Sequence, residues 1–179
     1  MTIGTVRAEP ALARADLLGE PVRAALEAAP PLAAETSVAE IDPQLADTAA
    51  FCERYGVRLD ESANCVVLAA RREGRAWYVA CMILATARVD VNGVVKKHLG
   101  ASKLSFASMD DATAATGMEY GGITPIGLPP EWPLLVDSAV VATARVVVGS
   151  GVRRSKLALP GAALATLPSA QTLTIALAR

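Results

Sequence analysis

Apolar positions along the chain fall in short runs whose spacing changes at nearly every proline or glycine. Two runs, NCVVLAA at 64–70 and AWYVACMILA at 76–85, are rich in β-formers and flank a charged stretch containing Gly74. They predict an antiparallel hairpin with largely buried strands, across which Cys65 and Cys81 become neighbours. A polar pair, Ser62 and Asn64, opens the hairpin, and an asparagine at a strand entrance is ordinarily a turn or edge residue. Leu45, Ala49, Cys52 and Tyr55 instead recur at helical spacing between Asp42-Pro43 and Gly56. That predicts a helix over 43–55 with Cys52 facing the core.

Other segments read in the same way. A strand is expected at 36–41, and a short helix through 94–99 capped by Asp90 and stopped by Gly100. A strand at 103–107 precedes a helix over 108–116 that ends at Gly117. Strands follow at 134–136, ending at Asp137, at 145–148 and at 157–159, then a short helix over 160–167 and a closing strand at 172–177. Residues 1–34 are rich in Ala, Pro and Glu. Pro21 suits the first turn of a helix over 22–29 that Pro30-Pro31 ends, and Leu12, Leu17 and Leu18 suggest a shorter helix before it. The expected organisation is an N-terminal helical extension, 1–34, packed on a single domain, 35–179. Helices and strands interleave without a βαβ rhythm, so the fold class is α+β, with a mixed, strongly curled, barrel-like sheet flanked by helices.

Composition narrows the chemistry. At 179 residues, with 53% hydrophobic and 20% charged positions, the chain is globular, and 4% aromatics leave the core to aliphatic residues. A net charge of −1 excludes a generally basic nucleic-acid binder but leaves room for a local cationic patch. Cys52, Cys65 and Cys81 show no CxxC spacing, which fits free thiols in a reducing compartment better than disulfides or zinc. Neither a secretory signal nor an apolar run of about 20 residues is visible, so a cytoplasmic protein without membrane attachment is expected. His98 is the one histidine and lies in a KKHL stretch read as solvated. A Ser-His-Asp site would have to use it. Ser150 sits in Gly-Ser-Gly rather than GxSxG, and neither phosphate-loop fingerprint occurs. No metal and no cofactor is expected.

Residues 117–128, GMEYGGITPIGL, hold four glycines and a proline, with no charge after Glu119. Gly121, Gly122 and Gly127 permit positive φ or close approach to another molecule, while Pro125 stiffens the loop and pushes Thr124 towards extended backbone. Such a loop is able to turn its N–H groups towards a bound oxygen, although a tight glycine-rich connection is the commoner meaning of this composition. A second glycine turn, Gly149-Ser150-Gly151, is followed by Arg153, Arg154 and Lys156. With strong nucleophiles excluded, what remains is chemistry done by positioning and backbone donors, such as hydrolysis of an activated ester.

The segments NCVVLAA, VKKHLGASKLSFAS, TGMEYGGITPIGLP, LLVD and VVVGSGVRRSKLALP, in this order over about residues 57–168, resemble the YbaK/EbsC family, related to the editing domain of prolyl-tRNA synthetase. The resemblance implies that fold and an aminoacyl-tRNA deacylase that hydrolyses misacylated tRNA in trans. The family's GxxxP loop falls on Gly121–Pro125, with Thr124 where relatives often carry Ser. By resemblance this loop holds the 3′-terminal adenosine, Gly121, Gly122, Ile123, Thr124, Pro125 and Gly127 form the pocket, and backbone amides polarise the ester. Asp137 and the turn Gly149, Ser150, Gly151, with Arg153 and Lys156, match segments near that pocket and imply contacts to the tRNA end. Asn64 stands where many members carry a functional lysine. It would orient the aminoacyl group without bringing charge. The aminoacylated 3′ end of tRNA is the implied partner, and a homodimer is left open. Two other functions also stay open: a non-catalytic relative that binds an aminoacyl-adenosine or nucleotide group, and an interaction module.

Overall fold

The computed structural model describes residues 1–178. Three two-residue strands, β1 (Thr2–Ile3), β2 (Val6–Arg7) and β3 (Glu9–Pro10), lead into a 3-10 segment, Ala11–Leu17. Helices α1 (Glu20–Ala28) and α2 (Pro30–Glu35) follow. Pro30 and Pro31 both stop α1 and start α2, because a first helical turn has no use for the N–H that proline lacks. After β4 (Ser37–Glu40), the expected 43–55 helix divides. Asp42 caps only the 3-10 turn Pro43–Leu45, and Asp47 caps the true helix, α3 (Thr48–Tyr55), which ends on left-handed Gly56.

The hairpin forms as its pattern predicts, with β5 (Ala63–Arg72) antiparallel to β6 (Arg75–Leu84). Val66 pairs with Cys81 and Cys65 with Met82, so the two cysteines are one step apart and leave opposite faces. Cys65 packs with Met82 and Leu134 on one side, and Cys81 with Leu68 and Leu135 on the other. The remaining elements are β7 (Ala87–Val89), α4 (Lys96–Leu99), β8 (Lys103–Phe106), α5 (Met109–Thr116), β9 (Leu134–Asp137), α6 (Ser138–Ala142), β10 (Val146–Gly149), β11 (Ser155–Leu159), α7 (Gly161–Leu164), β12 (Ala170–Leu173) and β13 (Ala176–Ala178). Asp90 caps a π-helical turn, Val91–Val95, that runs into α4.

The fold is mixed α+β, but the expected barrel-like curl is not found. Two open sheets carry the molecule, one ordered β10-β11-β4-β3 and the other β12-β9-β6-β5-β8, with the small pairs β1-β2 and β13-β7 beside them. The strands at the ends of each sheet do not pair with each other, so neither sheet closes. A single parallel bridge, Ser62 to Val147, links the start of β5 to β10. Between the sheets lies an aliphatic core in which Val22 and Leu26 of α1 meet Met82, Val136, Leu157 and Leu159. Residues ahead of position 35 therefore supply part of the interior, and β3 pairs with β4. No helix among the described residues is long and apolar enough to cross a membrane.

Candidate functional site

Where the Ser62–Val147 bridge draws the two sheets together, the structure leaves a cavity of about 240 Å³. Ser62 and Asn64 at the head of β5 line one side, and Val148 and Gly149 of β10 line the base. Asp47 and Thr48, at the N-terminus of α3, form a third wall. Tyr120, Gly121 and Ile123 of the glycine loop face them, and Arg153 and Lys156 also line the cavity.

The glycine loop is held there by backbone docking. A Cβ on Gly122 would lie 2.6 Å from the Val152 carbonyl carbon, and one on Gly149 would lie 2.4 Å from the Gly122 oxygen. Only glycine lets these two turns touch main chain to main chain. Gly151 N donates to Gly122 O at 2.8 Å and Glu119 N donates to Gly151 O at 2.9 Å, fixing the register between them. Gly121 has φ of +83°, which reverses the chain at the cavity wall. The amides of Gly121 and Ile123 donate no hydrogen bond among the described residues. Two uncommitted backbone donors thus belong to residues that line the cavity.

Opposite them, the Thr48 hydroxyl donates to Asn64 Oδ1 at 2.7 Å. This bond occupies the oxygen end of the amide and leaves Asn64 Nδ2 as a donor with no protein partner among the described residues. Lys156 enters from β11 and is only 7% exposed. Its ammonium donates to Ala46 O at 2.8 Å and reaches Gly121 O at 3.4 Å, with the Phe51 ring centroid 5.5 Å away. Burial pushes its pKa down to about 8. Burial also raises the neighbouring Cys52 thiol, against the opposing effects of a hydrogen bond with Ser62 and the charge of Lys156. Arg153 sits nearer solvent. Its guanidinium donates to Tyr120 O at 2.9 Å and its backbone amide to Glu119 Oε2 at 2.6 Å.

The remaining residues singled out in the sequence lie elsewhere. Thr124 is fully buried, with no partner for its hydroxyl among the described residues, and it does not line the cavity. Pro125 and Gly127 instead border a separate apolar cavity of about 270 Å³ against α1 and α2. Asp137 caps α6 through Ala139 N and accepts from Ile175 N and Ala176 N at 2.8 and 3.0 Å, pinning the C-terminal segment. Ser150 is fully buried, its hydroxyl 2.7 Å from Ser155 Oγ, so a surface contact to a ligand is closed to it. Gly151 packs on Gly19, with a hypothetical Cβ 2.9 Å from the Gly19 Cα. Thr48 and Tyr120 line the cavity without having been singled out, and Ser62, noted only as half of the polar pair that opens the hairpin, lines it too. Thr48 had one local signal, its place directly after the helix-capping Asp47.

The model of the aminoacyl-tRNA editing domain matches residues 42–167. Among solved structures, a candidate trans-editing enzyme for prolyl tRNA synthetase superposes with a TM-score of 0.74 at 19% identity, over 89% of this chain and 96% of that one. The hypothetical protein APE2540 superposes with a TM-score of 0.75 at 20% identity, over 88% of this chain and 100% of that one. At these identities the likeness is one of fold.

Proposed function

The chain belongs to the aminoacyl-tRNA editing domain family, and from that premise we propose that it is a trans-acting deacylase that hydrolyses the ester of misacylated tRNA. The observation that carries this reading is the meeting of Asn64 with Gly121 and Ile123 across one small cavity. The cavity suits a small aminoacyl group and the sugar that bears it. The terminal adenosine rests against the glycine loop, and Arg153, at the mouth, takes a phosphate. Asn64 Nδ2, its amide held by Thr48, donates to the substrate and orients the acyl group.

Water adds to the ester carbon, and the carbonyl oxygen takes up the electron pair. The free amides of Gly121 and Ile123 are the donors for that oxyanion, and one such donor is worth roughly 3–4 kcal/mol of barrier. Collapse of the adduct breaks the bond to the ribose oxygen, which leaves with the proton carried across by the adjacent ribose hydroxyl. No side-chain nucleophile is required. Editing of this type supplies discrimination that binding of small apolar side chains cannot.

Purified protein incubated with a panel of tRNAs, each carrying a non-cognate amino acid, should release at least one amino acid faster than buffer does. Asn64, neutral where the resemblance implies a lysine, favours a second reading: a non-catalytic relative that binds an aminoacyl-adenosine group. Saturable binding of a non-hydrolysable aminoacyl-adenosine analogue, with no hydrolysis across the panel, would establish that alternative and end the first.

A further inference from the structure

A buried lysine with no carboxylate in contact needs a reason to be there. Among the described residues no carboxylate lies within ion-pair distance of Lys156, and Asp47 acts on its charge only from farther away. Burying a charge is costly unless it is paired. The ammonium is met by two carbonyls, of which the Gly121 oxygen is distant at 3.4 Å, and by the face of Phe51. Those partners lower the cost of the cation without neutralising it. The rest of the inner lining is neutral or acidic: Ser62, Asn64, Thr48 and Asp47. The other cation of the cavity, Arg153, is turned towards Tyr120 O at the mouth.

We propose that Lys156 supplies the positive charge of the reaction, its ammonium stabilising the oxyanion that forms when water adds to the ester carbon. The role rests on the deacylase reading and deepens it. In the resting site the Ala46 and Gly121 carbonyls hold the ammonium at the wall. When the carbonyl π pair moves onto oxygen, the new anion completes a counter-charge that the protein itself does not provide. Ground-state ester is neutral at that oxygen, so the gain falls on the transition state rather than on binding. Water contributes the new C–O bond, the ribose oxygen departs with a proton, and Lys156 keeps all of its own.

Lys156→Met keeps the length of the side chain and removes the charge. Single-turnover and steady-state hydrolysis of the best substrate in the panel should show kcat reduced by about 10²–10³-fold with KM within about twofold. Asn64 lines the same cavity from the β5 side, so the double variant Asn64→Lys/Lys156→Met returns an ammonium to the same volume. It should recover at least about tenfold of the lost kcat, which a purely structural tie between Ala46 and Gly121 would not allow. Full kcat in Lys156→Met would overturn the proposal, and so would a loss in a protein that melts normally and is not recovered by the second lysine. A silent wild-type protein removes the deacylase reading and this role with it. An active wild type with an equally active Lys156→Met removes this role alone.

Discussion

The position of Lys156 makes a prediction about stability that needs no substrate. Its pKa lies at about 8 in the folded chain, against 10.5 for an ordinary lysine. Below about pH 8 both folded and unfolded chains carry the proton, and the full cost of burying the charge is present. Between about 8 and 10.5 the unfolded chain binds more protons than the folded one, so stability rises with pH. Above about 10.5 both are neutral and the cost is gone. A gap of about 2.5 pH units at 1.36 kcal/mol each amounts to about 3 kcal/mol, an upper limit because water entering the cavity screens the charge.

Urea denaturation of wild type and Lys156→Met at about pH 7, 8.5 and 10.5 measures this directly. Every group that titrates alike in both proteins cancels in the difference. Those that face the ammonium are Cys52 on α3, Asp47 before it and Arg153 from the β10–β11 turn. Wild type should gain on the variant by about 2–3 kcal/mol across that range, nearly all of it above pH 8. A difference that stays flat within about 0.5 kcal/mol would mean that Lys156 titrates as a solvated lysine, and the buried cation would have to be abandoned. A cost of this size is large beside a total stability of about 5–15 kcal/mol. A chain that retains it forgoes stability that a methionine would supply.

Three further substitutions probe the site and the frame around it. Gly122→Ala sets a methyl 2.6 Å from the Val152 backbone, so the two glycine turns must separate. Hydrolysis should fall below detection, with about 1–3 kcal/mol of stability lost in chemical denaturation. Thr48→Val removes the donor that holds Asn64 Oδ1. Deacylation should slow about tenfold while stability changes by less than about 1 kcal/mol. Leu26→Ala empties a fully buried position in the core between the sheets. It should cost about 2–5 kcal/mol in a denaturant midpoint experiment, as expected if the first 35 residues are part of the folded body.

What was legible in the sequence was what local chemistry decides. The hairpin follows from two β-rich runs around Glu73-Gly74, and α5 follows from Ser108 before it and Gly117 after it, each doing the capping its type favours. Local signals that compete were harder: Asp42 and Asp47 both offer a cap within five residues, and only the second opens α3. The closing strand at 172–177 is split into β12 and β13 because Asp137, distant in the chain, accepts from Ile175 N and Ala176 N. The same distinction runs through the site. Gly121 and Ile123 stand out because so many glycines fall around a proline, and Asn64 because a polar residue opens an apolar strand. Ser62 shares that signal with Asn64, but that this end of β5 faces a cavity, which Tyr120 also lines, depends on β5 touching β10, a contact that no neighbouring residue announces. Lys156 is the sharpest case. The resemblance implies that it contacts the tRNA end, and composition alone reads a cation after a glycine turn as solvated, yet β11 lies between β10 and β4 with both faces covered, and all five of its residues are buried. In a strand covered on both sides alternation no longer separates inside from outside. The amine at position 156 is therefore held away from bulk water, at the wall of the cavity that Asn64 also lines.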